Sequence, residues 1–201
     1  LGTIIKGKKE ITDKIIMAVL ARGHVLLEDV PGVGKTTTAL ALCRLMGMDF
    51  NRIQFTPDVV PSDVTGFTMY EKQNGKFIYR PGAVMCNMLL ADEINRTSSK
   101  TQAALLEVME EGRVTVDQQT HPVPQPFVVI ATENPTGSSG TQMLPESQLD
   151  RFMVSLSMGY PDHENLVELL RDRQTANPLE NAKAVITKEE VVALQDQVQK
   201  A

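Results

Sequence analysis

The chain has no apolar run approaching the roughly 18 residues that a membrane-spanning helix needs, and no basic segment followed by an apolar one opens it. A soluble, cytoplasmic protein is the expectation. Cysteine is scarce. Cys43 and Cys86 lie far apart in apolar surroundings, with no CxxC pair and no histidine at ligand spacing, which argues against a disulfide framework or a zinc site and for reduced, buried thiols. Basic charge is in deficit, with 20 Lys and Arg against 25 Asp and Glu, a net charge of −5. The two signs are interspersed, so bulk electrostatics disfavour a standing nucleic-acid or anionic-membrane partner. Internal repeats and low-complexity segments are missing as well. What is present, 201 residues at 42% hydrophobic and 22% charged, suffices for one sizeable core and a small appendage. Leu1 to Ile5 begin inside an apolar stretch and Lys188 to Ala201 stop inside a helical pattern, which reads as a fragment or a trimmed chain.

Ile11, Ile15, Ile16, Val19 and Leu20 fall at helical spacing and predict an amphipathic helix over Lys8 to Ala21, ended by Arg22-Gly23. Five short apolar strands are expected at 25–27, 51–55, 88–91, 127–131 and 153–156. Helices are expected at 36–46, 98–111, 146–151, 161–176 and 187–200, the last opening on a Thr187/Glu190 capping box. Ser62 or Asp63 is placed to cap a short helical turn. Asn74-Gly75 between Thr68-Met69-Tyr70 and Lys76 to Tyr79 predicts a β-hairpin, and Arg113 to Val123 predicts a second one turning at Gln118-Gln119. Strands alternating with helices give an α/β fold around a mostly parallel sheet, with the two hairpins inserted into it.

Glu28 to Thr37 sit between an apolar strand and an Ala/Leu-rich helix and read as a phosphate-binding loop. The expected nucleotide contacts are Pro31, Gly32, Val33, Gly34, Lys35, Thr36 and Thr37, with Lys35 on the β/γ-phosphates and the Thr36 hydroxyl on Mg²⁺. Asp29 stands where the usual pattern has its first glycine. A second sign is the strand that ends in Asp92-Glu93, which delivers both carboxylates to the sheet edge where the loop opens. Asp92 would hold the metal, and Glu93 would orient or deprotonate the attacking water. An ordinary strand end with an acidic helix cap competes for Asp92-Glu93 taken alone. Asn134, ending the next strand, could hold that water or touch the γ-phosphate, although Asn-Pro is also a common turn starter. Nothing in the spacing around Arg151 marks it as catalytic.

Taken in order, Asp29 to Thr37, Gln54 to Asp58, Leu90 to Arg96, Ala131 to Pro135 and Leu144 to Phe152 resemble the MoxR family of AAA+ ATPases. The resemblance implies a P-loop NTPase αβα sandwich at 1–158, with five strands, followed by the start of a C-terminal helical lid at 159–201. It also implies ATP and Mg²⁺ as cofactors, a ring that is usually hexameric, and use of ATP to remodel or activate partner proteins. By position it makes Asn134 the sensor and Arg151 the arginine-finger candidate, and it sets Ile5 and Gly7 against the adenine. Two departures stand out. Similar sequences carry Gln where Glu133 stands, and no Gly-x-Ser-x-Arg-like stretch follows Arg173 to supply the lid's second sensor arginine.

The leading expectation is therefore an ATP-hydrolysing remodelling motor. A DNA-directed P-loop motor gripping nucleic acid with its hairpins is the alternative. The near-balanced charges of Lys72, Lys76 and Glu71, and of Arg113, His121 and Asp117, speak mildly against it. A nucleotide-gated adaptor with little turnover is a third reading.

Overall fold

Alternation of apolar residues along the central strands determines the layers. The computed structural model describes residues 8–28, 34–134, 144–157, 159 and 182–200. Its main sheet contains β1 (Val25–Glu28), β2 (Phe50–Gln54), β5 (Met88–Asp92), β8 (Val128–Glu133) and β9 (Val154–Leu156), in the order β2-β5-β8-β1-β9. Every pair in it is parallel. Leu26, Leu89, Ala91, Val129 and Ala131 point to one face, where they meet Leu105, Leu106, Val108 and Met109 of α4 (Ser99–Glu111). The residues between them, Val25, Leu27, Met88, Leu90, Val128 and Ile130, point to the other. There they pack on Ile15, Ala18 and Val19 of α1 (Lys9–Leu20) and on Ala39, Leu42 and Cys43 of α2 (Lys35–Leu45). Strands covered on both faces need apolar residues at every position, which is why they stand out in the sequence.

The hairpins leave this scaffold at two points. α3 (Pro61–Thr65) leads into β3 (Gly66–Glu71) and β4 (Lys76–Pro81), and α4 leads into β6 (Arg113–Val116) and β7 (Gln119–Pro122). The base of the first is a close approach of backbones. Gly66 adopts φ +90°, and a Cβ there would lie 2.3 Å from the Arg80 carbonyl oxygen. The Tyr79 ring stacks on His121 of the second hairpin at 3.9 Å and an interplanar angle of 10°, joining the two inserts.

Two local expectations need correction. The second hairpin turns at Asp117-Gln118, one residue earlier than expected, because both residues take the positive φ that a two-residue turn requires. The cap of α3 is Val60, and Asp63 reaches back to accept the Val60 N–H at 2.9 Å, so neither Ser62 nor Asp63 occupies the cap position. Asn74-Gly75 does lie in the first hairpin's turn, as part of a four-residue loop at 72–75 with Gly75 at φ +63°. The expected helix at 161–176 lies outside the described residues. α6 (Lys188–Val198) opens on the expected capping box and packs on α1, where the Gln195 amide donates to the Val19 carbonyl at 2.7 Å. Cys43 and Cys86 are free and buried, and burial pushes both thiols up to about 12.

His24, just ahead of β1, fixes the amino edge of the sheet. Its Nδ1 accepts the Val129 N–H at 2.9 Å, so the ring proton sits on Nε2, 3.1 Å from the Met109 carbonyl. Burial, opposed by that carbonyl, lowers the imidazole pKa from 6.5. The unfolded chain therefore takes up a proton below 6.5 while the folded chain stays neutral, so this contribution is complete above that pH and lost as pH falls through the folded value. His24→Asn should cost about 1–3 kcal/mol in urea unfolding at pH 7.5, with the gap to wild type narrowing at pH 5. A gap that is constant with pH would show that folding does not lower the His24 pKa.

Candidate active site

In a parallel sheet the strands' carboxyl ends share one edge, and the strand order puts β8 between β1 and β5 there. Three segments therefore converge: the end of β1 at Glu28, the acids that end β5, and Thr132-Glu133-Asn134 at the end of β8. Gly34, at φ +92°, precedes α2, and Lys35 is that helix's first residue and buried. Thr36 and Thr37 follow in its first turn, half-buried. No acidic side chain lies in that turn, and the positive end of a helix dipole favours a bound anion. Pro31, Gly32, Val33, Ile5 and Gly7 lie outside the described residues.

Both carboxylates are held in place. Asp92 accepts the Thr132 hydroxyl on Oδ1 and Arg52 Nη2 on Oδ2, each at 2.7 Å. Glu93 Oε2 accepts Gln54 Nε2 at 2.9 Å and Arg96 Nη1 at 2.7 Å. The Glu93 backbone is left-handed, with φ +56°, a conformation costing about 1–2 kcal/mol for a residue with a Cβ. Its N–H donates to the Thr132 hydroxyl oxygen at 2.8 Å.

Asn134 follows directly on β8. Asn95, fully buried in the 3-10 turn Ile94–Arg96, donates to the Asn134 main-chain carbonyl at 3.2 Å and so ties the exit of β5 to that of β8. Glu133 is buried, 4% exposed, and its Oε1 has no hydrogen-bond partner among the described residues. Its carboxyl is raised above the usual range, first by burial and then by Glu28, its register partner on β1.

Arg151 is elsewhere. It follows the short α5 (Glu146–Leu149), is exposed, and pairs with Glu110 near the C-terminal end of α4. That end of α4 meets His24 through Met109, and Met153 donates to the His24 carbonyl at 2.9 Å. Arg151 thus belongs to the amino edge of the sheet, separated from Asp92 and Glu93 by the length of a five-residue strand, roughly 17 Å.

Three participants were not foreseen. Thr132 falls just past the strand expected at 127–131, yet β8 continues to Glu133 and keeps Thr132 in register with Leu27. Arg52 and Asn95 act through contacts with residues about 40 positions away in sequence. Spacing along the chain carries no sign of such contacts. A buried hydroxyl at the end of an all-apolar strand was the one clue available, at Thr132.

A family model described as "ATPase family associated with various cellular activities (AAA)" matches residues 24–154. The chain is 52% identical over 199 residues to YeaC of Bacillus subtilis, whose function is uncharacterised, covering 99% of this chain and 62% of that protein. It is 42% identical over 193 residues to the chaperone MoxR1 of Mycobacterium tuberculosis, covering 96% of this chain and 51% of that one. A crystallised Cytophaga hutchinsonii protein described as "a putative ATPase" superposes with a TM-score of 0.90 at 39% identity, over 99% of this chain and 60% of that one. The chain thus spans between about half and two thirds of the length of these proteins.

Proposed function

This chain belongs to the MoxR family of AAA+ ATPases, and on that premise we propose that it binds and hydrolyses ATP as a subunit of a ring that remodels or activates partner proteins. The observation that carries the reading is the division of the groups between two edges. The anion-binding end of α2, Asp92, Glu93 and Asn134 share the carboxyl edge, while Arg151 stands at the amino edge. Lys35 and the first turn of α2 take the phosphates. Glu93 orients the water and accepts its proton, and Asn134 positions it from the neighbouring strand. The Thr36 hydroxyl and the Asp92 carboxylate are hard oxygen donors of the kind Mg²⁺ takes. When bound, Mg²⁺ neutralises charge on the phosphate oxygens. Arg151 serves the site of an adjacent subunit.

The inserts favour a protein client. On the first hairpin Phe67, Tyr70 and Phe77 are exposed, Phe77 at 76%, which suits contact with polypeptide better than with phosphate. Residues 159–201 are proposed as the beginning of the lid, with 1–158 as the nucleotide-binding core. Among the described residues no helix is long and apolar enough to cross a membrane.

Measuring the mass of the intact protein in solution, with and without ATP and Mg²⁺, tests the reading. We expect nucleotide-dependent assembly accompanied by hydrolysis whose specific rate rises with protein concentration. Full activity in a monomer would refute the shared site.

A further inference from the structure

One hydroxyl links the two acids. Thr132 is fully buried, and a threonine hydroxyl carries a single hydrogen. That hydrogen goes to Asp92 Oδ1 at 2.7 Å, which leaves the oxygen's lone pairs to accept the Glu93 N–H at 2.8 Å. The result is a directed chain from the Glu93 amide through the Thr132 hydroxyl to the Asp92 carboxylate, in which each bond polarises the next. It fixes the Asp92 carboxylate by one oxygen. It also anchors the left-handed turn at Glu93, φ +56°, from which that side chain reaches Gln54 and Arg96. Thr132 itself is held in the sheet by parallel pairing with Leu27 on β1, the strand that feeds the phosphate loop.

We propose that Thr132 is a positioning residue for hydrolysis, setting the Asp92 carboxylate toward the metal and the Glu93 carboxylate toward the water through this one hydroxyl. The inference rests on the roles given to Asp92 and Glu93 above. The hydroxyl does not touch nucleotide or water; it acts through the two acids, as an outer partner does when it orients a metal ligand.

Three variants of the intact protein, Thr132→Val, Thr132→Ser and Glu93→Gln, test it together, each checked first for wild-type thermal unfolding. Valine keeps the branched shape and removes the hydroxyl. We expect Thr132→Val to lower kcat by about 10- to 100-fold and to reduce the Mg²⁺-dependent gain in ADP affinity, measured by calorimetry without turnover, by a similar factor. ADP affinity without metal should not change. Serine restores the hydroxyl and should bring both quantities to within about threefold of wild type. Wild-type kcat and metal gain in Thr132→Val, or a serine variant as impaired as the valine one, would overturn the proposal wherever Glu93→Gln is inactive. Wild-type turnover in Glu93→Gln would instead remove the reading of Glu93 on which the proposal stands. Should valine prevent folding, Thr132→Ala with serine as its rescue gives the same comparison.

Discussion

Glu93→Gln should leave ATP binding intact and lower turnover by about 10²- to 10⁴-fold, the range lost when a positioned general base is removed. Its structural cost should be small because of the way the side chain is held. Gln54 and Arg96 both donate to Glu93 Oε2, and an amide oxygen in the same place accepts both bonds. The backbone bond from the Glu93 N–H to Thr132 does not involve the side chain at all. What the substitution removes is the capacity to take a proton. Titration with a fluorescent ATP analogue and steady-state phosphate release, run on one preparation, separate the two effects. Undiminished phosphate release would show that another group activates the water.

Arg151→Ala should produce a comparable or greater loss by a different route. Supplying an arginine to the transferring phosphoryl group is worth about 10³ to 10⁵ in rate. The guanidinium is exposed and pairs only at the surface with Glu110, so removing it should leave the unfolding midpoint where it was. Its place at the amino edge makes a stronger prediction, because a residue that serves the adjacent chain can be complemented. If Lys35→Ala subunits, deficient in phosphate binding, are mixed with Arg151→Ala subunits in equal amounts, about one seam in four joins an intact Lys35 to an intact Arg151. Mixed rings should then recover up to roughly a quarter of wild-type activity, from two components that are each inactive. Mass measurement verifies that mixed assemblies form. Inactivity at every ratio in verified mixtures would rule out a role for Arg151 across the seam.

The sheet was legible because β1, β5 and β8 are buried on both faces and so read as unbroken apolar runs, and because the acids and Asn134 interrupt those runs at their carboxyl ends. The hairpins were legible as well, but the turn of the second was not. Its position depended on which residue pair would accept positive φ, and Asp117 took that role ahead of Gln119. The hydrogen-bonded frame of the site stayed hidden for another reason. Thr132, Asn95 and Arg52 act on groups about 40 residues away, and only the lateral order of the strands makes them neighbours. Arg151 was found by resemblance. Its edge of the sheet became visible only through the contacts that bring Glu110, Met109, His24 and Met153 together.

The two cysteines have a practical consequence. With Cys43 and Cys86 enclosed and burial pushing both thiols up to about 12, neither is in the reactive thiolate form at neutral pH. Maleimide dyes and spin labels should pass both by. A cysteine introduced at an exposed position of the first insert, such as Phe77, would take the label with the native pair left in place. The label would then report whether the surroundings of the first insert change when nucleotide is added.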